Sequence, residues 1–105
     1  MVEDRGRSYD QQMTRLHIEH PITDYHTWRS AFDRFADMRT ASGVTGTRLG
    51  RPVDDDHFIV IDLDFQSVDR AAAFLELLHR HVWSAPENSP GLNGVPQTVI
   101  LDDVA

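Results

Sequence analysis

The strongest constraint on the fold is the spacing of apolar residues, which switches between a period of two and a period near 3.6. Two segments alternate: "TRLHIEH", which begins at Thr14, and His57–Phe65. Alternation of this kind is typical of half-buried strands. The predicted inward positions are Leu16, Ile18, Ile59, Ile61, Leu63 and Phe65. Thr45–Arg51 precedes the second strand across the polar "PVDDD", so these two segments predict a hairpin.

Two other segments have helical spacing. Asp24–Ser42 is the first, and Gly43 after it suits the left-handed residue that often ends a helix. The second helix is expected to begin after Ser67, whose hydroxyl suits an N-cap. The predicted buried stripes are Tyr25, Trp28, Phe32, Phe35 and Ala36 in the first helix and Val68, Ala71, Leu75, Leu78 and Val82 in the second.

A last short strand, "QTVILDD", completes the order βαββαβ. This order predicts an α+β fold in which a four-stranded antiparallel sheet carries both helices on one face. Residues 1–12 are polar and aperiodic and are expected to form a flexible N-terminal tail. Residues 13–105 are expected to form a single domain.

Charge and cysteine content exclude several classes of function. The formal net charge is -7, so the basic surface needed for nucleic acid or for an anionic membrane is not expected. The absence of cysteine excludes disulfides, thiol nucleophiles and thiolate metal sites. We therefore expect a cytoplasmic protein with neither nucleic acid nor membrane as a partner.

The chain resembles the dimeric α+β barrel superfamily of ferredoxin-like proteins, which includes antibiotic-biosynthesis-monooxygenase-like proteins. The resemblance covers about Met13 to the C-terminus, and the segments that carry it are "DYHTWRSAFD", "SGVTGTRLGRPVDDDHFIVIDLDF", "SVDRAAAFL" and "GVPQTVIL". It implies a homodimer whose two sheets face each other, with a pocket in each protomer between sheet and helices. The superfamily includes cofactor-independent oxygenases, haem-degrading enzymes, isomerases, polyketide cyclases and proteins of no known activity.

The histidines do not predict a metal site. His17 and His20 lie three residues apart on one strand and point to opposite faces, and His26 lies on the outward side of the first helix. His20 and His57 are each placed at a strand end on the side that faces the helices, so both are predicted to line the mouth of a pocket.

His79 and Arg39 are the other candidate catalytic residues, with His20. His79 is four residues before Trp83 and projects onto the shoulder of the buried stripe, where an imidazole could act as an acid or base or as an axial haem ligand; a structural histidine is the alternative. Arg39 projects in line with Trp28 and Phe32, either as a cationic clamp for an acidic or enolate-like ligand or as a long side chain that reaches solvent. Trp28, Phe32, His57 and Trp83 are the predicted ligand-binding residues.

The opposite face of the sheet combines charges of both signs with large apolar residues. Its members are Arg15, His17, Glu19, Phe58, Val60, Asp62 and Asp64. This composition favours a homodimer interface with opposite charges paired across it.

The leading hypothesis is a small cytosolic homodimer that binds an apolar or aromatic small molecule between sheet and helices, with cofactor-independent oxygenation or isomerisation/cyclisation as the candidate reactions. A non-catalytic dimeric binding or stress-response protein is the alternative, in which aromatic side chains fill the interior. A haem-binding or haem-degrading protein is third. No other cofactor and no metal are expected.

Overall fold

A computed structural model describes residues 13–104. Its strands are β1 (Thr14–Pro21), β2 (Gly46–Gly50), β3 (Phe58–Phe65) and β4 (Gln97–Asp102). Its helices are α1 (Tyr25–Arg34), α2 (Ala36–Ala41) and α3 (Val68–Leu77), which a π-helical turn (Leu78–Val82) extends. The expected N-terminal tail, residues 1–12, lies outside the described residues.

The four strands form one antiparallel sheet in the order β2-β3-β1-β4, which confirms the predicted α+β fold. Within the sheet, β1 pairs with β3 so that His17 lies opposite Asp62 and His20 opposite Ile59. Both strands alternate between buried and partly buried residues, as the sequence predicted. Pro21 is the last residue of β1, where the loss of one backbone donor is tolerated.

The first predicted helix is two helices. Asp24 caps α1 by accepting a hydrogen bond from the backbone N–H of Thr27. The helix is interrupted at Phe35, whose backbone (φ -100°, ψ 18°) is not helical. α2 then continues to Ala41, and Gly43 adopts the expected positive φ of 98°.

The second helix begins as predicted, with the Ser67 side chain accepting a hydrogen bond from the N–H of Arg70. Its buried stripe differs from the predicted one at two positions. Val68 in the first turn is 47% exposed, whereas Phe74, which the predicted stripe did not include, is only 2% exposed and packs against Phe65. The core lies between this stripe, the inner face of the sheet and Trp28 of α1.

Candidate functional site

A cavity of about 70 Å³ lies between the sheet and the helices. It is mostly apolar, and polar side chains enter its wall from β1, from α2 and from the loop before β4. The residues that line it are Ile18, His20, Trp28, Ala31, Phe32, Phe35, Met38, Arg39, Ile61, Leu63, Phe74, Leu78, Val82, Trp83, Asn88, Ser89, Pro90 and Leu92. The interior is therefore neither filled nor large, since drug-sized sites measure roughly 300–1,000 Å³.

His20 is the buried titratable group of this cavity. Its side chain is 2% exposed, and Nδ1–H donates a hydrogen bond of 2.8 Å to the carbonyl of Pro21. A carbonyl oxygen only accepts, so this bond places the proton of the neutral ring on Nδ1 and leaves the Nε2 lone pair available. Burial lowers the pKa of His20, against the opposing effect of the Pro21 bond, so the ring is neutral near pH 7.

Arg39 lies on α2, beyond the interruption at Phe35. One guanidinium nitrogen, Nη1, donates a hydrogen bond of 2.7 Å to the carbonyl of Phe32, an oxygen near the end of α1. The guanidinium carbon lies 3.6 Å from the centre of the Phe32 ring, a close cation–π contact. Within residues 13–104 no carboxylate forms an ion pair with Arg39. Burial lowers the pKa of Arg39, yet an arginine remains charged in proteins, so a partly buried cation lines the cavity.

Aromatic rings form the wall between these two groups. Trp28, which is 7% exposed, stacks on Phe32 with ring centres 4.9 Å apart and meets the His20 ring edge-on at 6.4 Å. Trp83, at the end of the π-turn, also lines the cavity. The structure therefore brings five of the seven predicted site residues to one cavity: His20, Trp28, Phe32, Arg39 and Trp83.

The other two predicted residues lie outside it. His57 was expected to face the helices, but it precedes β3, is exposed, and pairs through Nδ1 with Asp56 at 3.0 Å. His79 was expected beside the cavity, but its side chain is exposed. Its ring meets the ring of Trp83 edge-on, with ring centres 5.1 Å apart. His79 was misplaced because Leu75, four residues earlier, was counted in the buried stripe, whereas Phe74 holds the buried position and Leu75 is only partly buried.

The prediction missed the loop that covers one side of the cavity. Residues 88–90 and Leu92 belong to this loop, and the side chain of Asn88 donates a hydrogen bond of 2.8 Å to the carbonyl of His81. Gly91 adopts a φ of 89° and passes so close to α1 that an added Cβ would lie 2.9 Å from the backbone nitrogen of Trp28. The glycine in "SPGLNG" was the available sequence signal, since a glycine can mark a close backbone approach.

His17 anchors a charged cluster on the opposite face of the sheet. Its Nδ1 donates to Asp62 at 2.8 Å and its Nε2 to Glu19 at 2.9 Å when the ring is protonated. The hydrogen bonds to Glu19 first and to Asp62 second raise the pKa of His17. Val99 and Leu101 of β4 share this face and are 46% and 38% exposed. The face thus combines charged and apolar groups, as the sequence predicted.

One group of acidic and histidine side chains with the spacing of metal ligands lies in the loop before β3. Ligand atoms of Asp55, Asp56 and His57 lie within 4.8 Å of one another, and all three residues are exposed. Asp55 already accepts a hydrogen bond from the backbone of His57. Exposed groups that bond to one another in a turn do not define a metal centre. Among the helices of residues 13–104, none is long and apolar enough to cross a membrane.

Comparison with solved structures identifies the fold. A candidate antibiotic biosynthesis monooxygenase from Bordetella bronchiseptica has a TM-score of 0.62 at 15% identity, over 90% of this chain and 100% of that one. A monooxygenase of Streptomyces coelicolor, solved in complex with nanaomycin D, has a TM-score of 0.61 at 14% identity over 90% of both chains. A dimeric ferredoxin-like protein from an uncultured marine organism has a TM-score of 0.59 at 8% identity, over 90% of this chain and 97% of that one.

No family model and no curated protein matches the sequence. The structural matches nevertheless cover nearly the full length of these chains. The chain therefore has the ferredoxin-like α+β fold of antibiotic-biosynthesis-monooxygenase-like and dimeric ferredoxin-like proteins.

Proposed function

We propose that the protein binds a small aromatic molecule with an acidic hydroxyl or enol in the cavity between sheet and helices, and stabilises its anion. The observation that carries this proposal is Arg39, a partly buried cation in the cavity wall that lacks a carboxylate partner within residues 13–104. A buried cation is costly unless it is paired, and an anionic ligand would supply the pair. The stacked rings of Trp28 and Phe32 provide the apolar surface for an aromatic ligand.

His20 is the base in this proposal. Its Nε2 lone pair would accept the proton of the ligand, which forms an imidazolium on the enzyme and an enolate or phenolate on the ligand. Because burial lowers the pKa of His20, the ring is a weak base, and only an already acidic ligand would transfer its proton readily. Arg39 would stabilise the negative charge through its free N–H groups.

The candidate reactions are those that begin from such an anion. In cofactor-independent oxygenation the substrate carbanion itself would give electrons to O₂; in isomerisation or cyclisation the proton would return at another carbon. The names of the structural neighbours support the oxygenase class, and their identities of 14–15% support a shared fold rather than a shared substrate.

The cavity sets a limit on the ligand. At about 70 Å³ it is smaller than the engineered cavity of about 150 Å³ that binds benzene, so even one ring requires the wall to move. α2 is the wall element that can do so, because none of its six residues is fully buried. Haem is not part of this proposal, because His79, its predicted axial ligand, is exposed and does not line the cavity.

The test uses 4-nitrophenol, a one-ring acid whose phenolate absorbs visible light. The wild-type protein should bind it saturably and shift its ionisation toward the phenolate. Arg39→Leu should weaken binding about 10- to 100-fold, which corresponds to a charged hydrogen bond of about 1.5–3 kcal/mol, and should abolish the shift in ionisation. Arg29→Leu is the matched control, because Arg29 lies on α1 but is exposed and paired with Asp33. Absence of saturable binding, or equal binding by Arg39→Leu, would refute the proposal.

A homodimer through the outer sheet face is the proposed assembly. The solved dimeric neighbour supports it, and so do the exposed Val99 and Leu101 beside the charged cluster of His17. A dimeric protein with no catalytic role is the competing function, favoured by the small cavity. Light scattering decides the assembly: Val99→Asp should give a smaller particle than wild type, and a wild-type monomer would exclude this interface.

A further inference from the structure

The turn after α3 is wider than a regular helix. The N–H of Trp83 donates to the carbonyl of Leu78 at 2.8 Å, five residues earlier, whereas an α-helix bonds four residues earlier. The π-helical turn Leu78–Val82 therefore contains one extra residue. Such turns are rare, and they occur mostly as single insertions in helices, often at functional sites.

The wide turn decides which way Trp83 points. In a regular helix Trp83 would lie about 140° round the axis from Leu78. The five-residue bond widens the turn and reduces that angle, and Trp83 lines the cavity together with Leu78 and Val82. The three residues between Leu78 and Val82 are exposed, so the extra residue is accommodated on the outer side of the helix.

The same turn also holds the loop before β4. The carbonyl of His81 accepts a hydrogen bond of 2.8 Å from the side chain of Asn88. Asn88 lines the cavity with the neighbouring Ser89 and Pro90. The π-turn thus places Trp83 in one wall of the cavity and, through Asn88, holds the loop that forms another wall.

Trp83 differs from Trp28 in how firmly its ring is held. Trp28 is buried and contacts His20, Tyr25 and Phe32 through its ring. Trp83 is only partly buried, and its aromatic neighbour is the exposed His79. The cavity can therefore gain space at Trp83 with less loss of core packing than at Trp28.

We propose that Trp83, placed by the π-turn, is the residue that limits the size of the ligand to a single ring. This inference rests on the proposed binding function. An indole is itself a bicyclic ring system, so its removal leaves room for a second fused ring beside the first. Trp83 would contact the ligand directly, whereas His79 would not affect the preference for ligand size.

The experiment compares the binding of 4-nitrophenol and 2-naphthol, which have one and two rings, by calorimetry. Wild type should prefer 4-nitrophenol. Trp83→Ala should bind 2-naphthol about tenfold more tightly than wild type does, about 1.4 kcal/mol, and should thereby reverse the preference between the two ligands. If Trp83→Ala does not fold, Trp83→Phe, which keeps one ring of the two, should show a smaller gain in the same direction.

Two control variants separate a specific from a general effect. His79→Ala removes the outer neighbour of Trp83 and should keep the wild-type preference. Leu75→Ala shortens a partly buried side chain of α3 that does not line the cavity, and it should also keep that preference. An unchanged preference in Trp83→Ala, or an equal gain in affinity for 2-naphthol in Leu75→Ala, would overturn the inference. The proposed function would still be supported if wild type binds 4-nitrophenol and Arg39→Leu binds it more weakly. Failure of wild type to bind 4-nitrophenol would instead refute the proposed function.

Discussion

Replacing His17 with Gln removes the cation that joins two carboxylates on the outer face of the sheet. The protonated ring donates to Asp62 and Glu19 at 2.8 and 2.9 Å, and its side chain is 26% exposed. Arg48 of β2 lies opposite Asp62 in the sheet, but its guanidinium bonds to Asp64 instead. Arg15 of β1 lies opposite Asp64. Glutamine keeps a neutral N–H donor of similar reach and leaves the two carboxylates without a charge between them.

The effect on stability has a definite sign. The hydrogen bonds to Glu19 and Asp62 raise the pKa of His17 in the folded state above the unfolded value of about 6.5, so the folded state binds more protons between the two values. The stabilisation is therefore fully present below about pH 6.5 and is lost as pH rises through the folded pKa. Partly exposed charged pairs contribute about 0.2–1 kcal/mol each, so the two pairs together contribute about 0.5–2 kcal/mol.

Urea denaturation of both proteins at about pH 5.5 and about pH 9 measures this contribution. His17→Gln should be less stable by about 0.5–2 kcal/mol at the lower pH and nearly equal at the higher one. His20 has a lowered pKa and acts in the opposite direction, but both proteins contain it and the comparison removes its effect. His81→Gln, at an exposed position, should show no such difference. A loss of stability that is equal at both pH values, or larger at alkaline pH, would refute the reasoning.

Two further predictions concern the packing that forms the cavity, and both are measured by chemical denaturation. Gly91→Ala should destabilise the fold by about 1–3 kcal/mol, because its φ is 89° and the new Cβ would lie 2.9 Å from the backbone of Trp28. Gly50→Ala, where nothing lies within 4 Å of the added carbon, should change stability by less than about 0.5 kcal/mol, and equal effects would contradict the argument. Phe74→Ala should lower the free energy of unfolding by about 3–5 kcal/mol. Val68→Ala, in the exposed first turn of the same helix, should lower it by less than about 0.5 kcal/mol. A similar loss at both positions would show that α3 packs by a different face.

The strands could be predicted well because alternation depends on local geometry alone. Each strand residue points opposite to its neighbours, so the apolar pattern of β3 identifies its inner face without knowledge of the rest of the chain. His20 and His57 show the limit of that reasoning. Both were placed at strand ends on the inner side, but only His20 lies within its strand, whereas His57 precedes β3 and points to solvent.

Projection along a helix fails where the helix is irregular, because errors in angle accumulate. Trp28 and Phe32 lie within one regular helix, and their common face was correctly predicted. Beyond Leu77 the π-turn changes the rotation before Trp83, and Trp83 lines the cavity. The interruption at Phe35 was also missed, since no proline or glycine marks it in the sequence.

The interruption at Phe35 has a consequence for the dynamics of the protein. It isolates α2, a helix of six residues with no fully buried side chain, and this short helix holds Arg39. Elements with few buried contacts open at low free energy, so the amide protons of α2 should exchange with solvent faster than those of α1 or β1. A ligand that pairs with Arg39 would also immobilise α2, and part of its interaction energy would be spent on that ordering. Affinity at this site is therefore coupled to the rigidity of one short helix.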